Sequence, residues 1–97
     1  MALVAAVAAC ARPAPRTHTV TMQNFGFTPS ELTVSRGDTV VWSNTDIVPH
    51  SATARDGAWD SKQIDASSSW RLVATKPGRH EYYCVFHPNM TATVVVH

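Results

Sequence analysis

Four side chains stand out by type and spacing: Cys84, His87 and Met90, with two residues between neighbours, and His50 far upstream in Val48-Pro49-His50. Together they offer one thiolate, two imidazoles and one thioether, the donors that a mononuclear copper centre for electron transfer requires. A copper ion that cycles between Cu(II) and Cu(I) meets opposite preferences, because imidazole suits both states while thiolate and thioether favour Cu(I). A trigonal set of one thiolate and two imidazoles with a weak axial methionine is a compromise between them, and it needs little rearrangement when the electron moves.

The spacing bears on how such donors could share one ion. A regular strand would send alternate side chains to opposite faces, so the run Cys84-Val85-Phe86-His87-Pro88-Asn89-Met90 is expected to be a tight loop wrapped around the metal. Pro88 steers His87 toward extended backbone, and Pro49 fixes its own φ immediately before His50. Both histidines therefore sit beside stiffened chain.

The elements that must hold these residues read as strands. Thr19 to Met22 alternates polar and apolar residues, Thr39 to Trp42 is β-branched and aromatic, and Thr91 to Val96 is almost entirely β-branched. Ser69 to Thr75 and Arg79 to Cys84 complete the set, with turns expected at Arg36-Gly37-Asp38, Asp56-Gly57 and Pro77-Gly78. No convincing amphipathic helix interrupts them. Several short strands separated by turn signals make an all-β sandwich or barrel.

Ninety-seven residues give room for one small domain. Lys and Arg number 8 against 7 for Asp and Glu, so the chain has no basic stripe to bind nucleic acid and no acidic tail. The acidic residues form no paired constellation for acid–base catalysis. Trp42, Trp59 and Trp70 are expected as core or sandwich-edge aromatics, and His18, His80 and His97 at surface or strand-end positions.

The chain divides into residues 1–16 and residues 17–97. The apolar start ends in Val7-Ala8-Ala9-Cys10, which resembles a bacterial lipoprotein cleavage box whose cysteine is lipidated; the charged segment that usually opens a signal peptide is missing. A Pro-rich run, Ala11 to Arg16, then forms an extended tether. Lipidated Cys10 would hold the domain at an extracytoplasmic membrane face, whereas an unlipidated Cys10 could instead form a disulfide with Cys84. Taken one at a time, His87 could be a surface-loop histidine, His50 a satisfied polar residue near the core and Met90 a core gap-filler.

At the four donor residues the chain resembles the cupredoxins, the small blue copper proteins that include plastocyanin, pseudoazurin and amicyanin. The order His, Cys-x-x-His-x-x-Met is theirs, and the short step from His87 to Met90 is amicyanin-like. Asn24-Phe25-Gly26-Phe27-Thr28-Pro29, Leu32-Thr33-Val34, Gly37 to Trp42, Pro49 to Ala54, and Lys76-Pro77-Gly78 through Tyr82-Tyr83-Cys84 are similar to that family in the same order. The resemblance implies a single-domain Greek-key β-sandwich over residues 17–97. It also implies one copper ion held strongly by His50, Cys84 and His87, with Met90 as the weak axial ligand. Two positions depart from the pattern: Ser51 stands where the family commonly has an asparagine that braces the cysteine-bearing loop, and Phe86 where amicyanin-like loops often have proline.

The resemblance further implies a monomeric one-electron carrier, not an enzyme, working between redox partners in the periplasm or at the outer face of a membrane. Partners would dock transiently at an apolar patch around His87, Phe86 and Pro88, with Pro49 and Val85 beside them. The other reading is a copper-delivery module with no role in electron transfer. Multicopper oxidases would need further histidine clusters, and a binuclear centre a second nearby cysteine.

Overall fold

A computed structural model describes residues 14–97; the leader, Cys10 and the first part of the tether lie outside the described residues. Eight strands follow in chain order: β1 (Thr17–Gln23), β2 (Gly26–Thr28), β3 (Glu31–Val34), β4 (Thr39–Asn44), β5 (Thr53–Ala54), β6 (Ser69–Val73), β7 (Gly78–Cys84) and β8 (His87–Val96). They form two four-stranded sheets, ordered β2-β1-β4-β6 and β3-β8-β7-β5. The chain passes repeatedly between the sheets, which makes β1 parallel to β4 and β3 parallel to β8, while the other pairs are antiparallel.

The sandwich closes because the strands alternate. Val20 and Met22 on β1 and Val40 and Trp42 on β4 are buried from one sheet; Tyr82 on β7 and Ala92, Val94 and Val96 on β8 are buried from the other. Trp42 centres the core, with ring centroids 5.5 Å from Tyr82, 5.6 Å from Trp70 and 5.9 Å from Trp59. The three tryptophans thus hold the core and edge places expected of them.

Because β1 and β4 run parallel, both end at the same pole of the sandwich, where β7 also turns into β8. The opposite pole is tied by Asp38. Its carboxylate accepts from the backbone N–H of Arg16 (2.9 Å) and of Ser35 (3.1 Å) and lies 2.9 Å from His18 Nε2. Those bonds, led by the Arg16 N–H, hold its pKa down at about 2.

Two expectations need correction. His80 is neither at the surface nor at a strand end: it is buried inside β7, its Nδ1 2.6 Å from Asp56 Oδ2 and its Nε2 2.8 Å from the Lys76 carbonyl oxygen. It shares the inward face with Tyr82 and Cys84, as the two-residue period of a strand requires. The loop expected between Cys84 and Met90 is also smaller than its spacing suggested. Cys84 pairs with His87 across a turn of Val85 and Phe86, and β8 begins at His87 instead of Thr91.

Candidate metal centre

The hairpin solves the alternation problem by an irregularity. Tyr83 pairs with Thr91 and Cys84 with His87, so Pro88, Asn89 and Met90 bulge out of the ladder. A bulge re-aims side chains that a regular strand would send apart. Such a re-aiming is what His87 and Met90, three positions apart, would need to face one ion.

His50 approaches from the segment after β4. Its backbone is held on both sides by Ile64, the His50 N–H donating at 3.1 Å and the His50 carbonyl accepting at 2.7 Å. The preceding turn is stapled by buried Asn44, whose Nδ2 donates to the carbonyls of Val48 (2.9 Å) and Ile64 (3.0 Å) and whose Oδ1 accepts from the Asp46 N–H (3.0 Å). Both ends of the amide are used to shape residues 45–49.

These supports bring His50 and Cys84 together. Both are fully buried, at 0% exposure, and Cys84 Sγ lies 3.6 Å from His50 Nδ1. With zinc-like bonds of about 2.0 Å to nitrogen and 2.3 Å to sulfur set at a trigonal angle, two donors of one ion would stand roughly 3.7 Å apart. The observed pair fits that requirement. Cys84 is a free, buried thiol, and it accepts a hydrogen bond from the Ser51 N–H at 3.3 Å.

The other two candidate donors lie in the cysteine hairpin. The His87 ring stands 5.2 Å from the His50 ring, centroid to centroid, and keeps partial exposure; Met90 is buried in the core. Among the described residues, no three His, Cys, Asp or Glu side chains are already gathered as a cation cluster. The structure thus joins Cys84 to His50 directly, sets His87 alongside, and brings Met90 into the same hairpin.

Ser51 takes over the bracing role despite its shorter side chain. The Val85 N–H donates to Ser51 Oγ at 3.0 Å, and Ser51 Oγ lies 2.9 Å from Thr53 Oγ1. With the main-chain bond to Cys84, one residue ties the His50 segment to the cysteine turn at two points.

Two participants were not evident in the sequence. Asp46 Oδ2 lies 2.7 Å from His50 Nε2, on the side of the ring away from Cys84. Burial pushes the pKa of Asp46 up, but hydrogen bonds from the Phe25 N–H, the His50 ring and the Asn24 N–H outweigh it and keep the group below the usual carboxylate range. Phe25 is the other. Its ring is edge-on to both histidines, 5.6 Å from His50 and 4.8 Å from His87, while remaining 54% exposed. The only hint in the sequence was the spacing of four between Asp46 and His50, which has no general meaning outside a helix.

A two-sheet Greek-key sandwich with a buried Cys–His pair and a hairpin carrying a further histidine and a methionine at one pole defines the architecture of small single-copper domains. The cupredoxin-like domain family matches residues 1–96, and the chain belongs to that family. Among curated proteins it is similar to amicyanin-alpha of Methylorubrum extorquens, 28% identical over 101 residues covering 98% of this chain and 85% of that protein. It is also similar to amicyanin of Paracoccus versutus, 26% identical over 82 residues covering 79% of this chain; here it spans only 62% of the relative's length. Among solved structures, an oxidized amicyanin variant superposes with a TM-score of 0.76 at 29% identity, over 84% of this chain and 82% of that one. The copper-containing nitrite reductase of Thermus scotoductus SA-01 superposes with a TM-score of 0.77 at 27% identity, over 90% of this chain but 23% of the reductase.

Proposed function

We propose that this protein is a one-electron carrier that holds a single copper ion through His50, Cys84 and His87, with Met90 as a weak fourth ligand. The observation that carries this reading is the buried contact of His50 Nδ1 with Cys84 Sγ at 3.6 Å, next to a third donor whose ring reaches solvent. The donor set of nitrogen, thiolate and thioether suits copper in both oxidation states. Bound there, copper would supply a one-electron couple.

The protein's own part is to hold those donors still. Asn44 and Ile64 fix the His50 backbone, Ser51 fixes Cys84 and Val85, and the 88–90 bulge fixes His87 and Met90. His87 is the port, because His50 and Cys84 are closed to solvent. Around it lie exposed Phe25, Val85, Phe86, Pro49 and Pro88, an apolar surface of the kind that supports short-lived redox encounters. Docking there would be by a redox protein partner outside the cytoplasm, a location supported by the apolar leader and Cys10. On this reading the protein is a carrier and not an enzyme: the curated relatives are amicyanins, and the likeness to nitrite reductase covers 23% of that chain.

The test is a Cu(II) titration of the full chain followed by visible absorption. An intense thiolate-to-copper band that saturates at one copper per chain and vanishes in Cys84→Ala is the expected result. A pale complex unaffected by Cys84→Ala would overturn the electron-carrier reading in favour of copper handling at other donors.

A further inference from the structure

The side of His50 turned away from Cys84 is as carefully built as the side turned toward it. Asp46 Oδ2 sits 2.7 Å from His50 Nε2 and also accepts the Phe25 N–H at 3.0 Å, while Oδ1 accepts the Asn24 N–H at 2.7 Å. Asn24 and Phe25 are the two consecutive left-handed residues of the β1–β2 turn, with φ of 52° and 58°. A bulky residue such as phenylalanine occupies that region at a cost, so the turn needs something outside itself to hold it. Asp46 holds it, and the ring it positions lies against both His50 and His87. Among the described residues no Lys or Arg pairs with Asp46; the side chain that meets its carboxylate is the His50 ring.

We infer that Asp46 is a positioning and tuning residue of the centre: it fixes the His50 imidazole with Nδ1 toward Cys84, and its negative charge lowers the reduction potential of copper held there. The inference rests on the copper reading above. Its physics is that of an outer hydrogen bond: a carboxylate on the distal nitrogen selects the tautomer and makes the ring a better donor. The oxidised ion carries one more positive charge than the reduced ion, so a nearly buried anion favours Cu(II) over Cu(I). Removing the charge must move the couple toward Cu(I), which is a higher potential. The same carboxylate also links the potential to the docking surface, because it carries the turn that presents Phe25.

The experiment compares the full chain with Asp46→Asn and Phe25→Ala, each loaded with copper and titrated against a redox mediator while the blue absorption is followed. In Asp46→Asn the amide oxygen can stand in for Oδ2 toward His50 and Phe25, while the amide nitrogen faces the Asn24 N–H and gives up that bond, so the charge is lost and two of the three contacts are kept. The expected result is a Cu(II)-to-Cu(I) affinity ratio lowered by about tenfold or more, a rise in potential of about 59 mV or more for a one-electron couple. Phe25→Ala should change the ratio by less than about threefold, which separates the charge from the aromatic cap. A blue Asp46→Asn protein whose ratio stays within about twofold of the parent overturns the inference.

If Asp46→Asn does not fold, nitrogen-edited NMR of the reduced parent decides instead. A slowly exchanging proton on His50 Nε2 supports the inference, and a proton that exchanges freely with solvent defeats it. Failure of the parent itself to turn blue would remove the copper reading and is seen before any variant is made.

Discussion

Replacing Ser51 by alanine removes one oxygen from a fully buried position, and the structure says what that oxygen supports. The Val85 N–H donates to Ser51 Oγ at 3.0 Å, and Thr53 Oγ1 lies 2.9 Å from the same atom. In Ser51→Ala the Val85 N–H loses its partner inside the turn that joins Cys84 to His87. An ordinary hydrogen bond contributes about 1 kcal/mol net, and a buried donor left unsatisfied costs about 1–3 kcal/mol. Val85 is itself exposed, so water can reach part of the gap, which puts the expected loss at about 1.5 kcal/mol.

For a domain of this size that is a fall in Tm of roughly 6–12 °C. It should be measured on the copper-free chain by thermal and urea unfolding, so that metal affinity does not enter. The main-chain bond from the Ser51 N–H to Cys84 Sγ survives the substitution, so the copper-loaded variant should keep its blue band. A double-mutant cycle with Thr53→Val should be non-additive by about 0.5 kcal/mol or more, because the two hydroxyls share a bond. A stability loss below about 0.5 kcal/mol together with additivity would refute the assignment of Ser51 as the brace, since that is what an ordinary surface change does.

Three more outcomes concern other parts of the molecule. Asp38 has a folded-state pKa depressed to about 2, so its contribution is fully present above the ordinary carboxylate pKa and is lost as pH falls through the folded value; stability of Asp38→Asn should converge on that of the parent between about pH 4 and pH 2. Among the described residues the buried Tyr82 hydroxyl has no well-formed hydrogen bond, only a weak contact with the Trp42 side chain, so Tyr82→Phe should stay within about 1 kcal/mol of the parent in urea unfolding, and a larger loss would show that the contact with Trp42 is a full hydrogen bond. Phe86, 48% exposed at the tip of the cysteine turn, should when changed to aspartate slow electron exchange with a redox partner by about tenfold while the copper spectrum stays nearly unchanged; a collapsed spectrum would assign it to supporting the centre.

The sequence was most readable where local preference and burial agree. β1, β4, β6, β7 and the second half of β8 have β-branched or alternating residues, and each was recognisable as a strand. β2, β3 and β5 are two to four residues long, too short for alternation to show, and they exist because long-range neighbours complete them: β5 pairs with Tyr82 and Tyr83. Taken as a lone histidine, His80 gives no hint of its burial. Counting back by twos from Cys84 through Tyr82 puts it on the inward face, and the structure supplies Asp56 and the Lys76 carbonyl to satisfy its two ring nitrogens there.

The proposed donor residues stand out for the opposite reason, since chemistry limits which side chains can serve copper and their order survives in one dimension. Their supports do not have that property. Asp46 lies four residues from His50 but 21 and 22 residues from the amides of Phe25 and Asn24, and nothing in any of the three segments names the others. The parallel pairing of β1 with β4, with Met22 opposite Asn44, is what carries the β1–β2 turn and the residue 45–49 turn to the same pole. A carboxylate at position 46 therefore acquires its role from the sheet register alone. Shifting that register by one residue would turn the inward side chains outward and separate the turn from the carboxylate, so the fold sets the electrostatics of the proposed centre as directly as it sets the candidate donors.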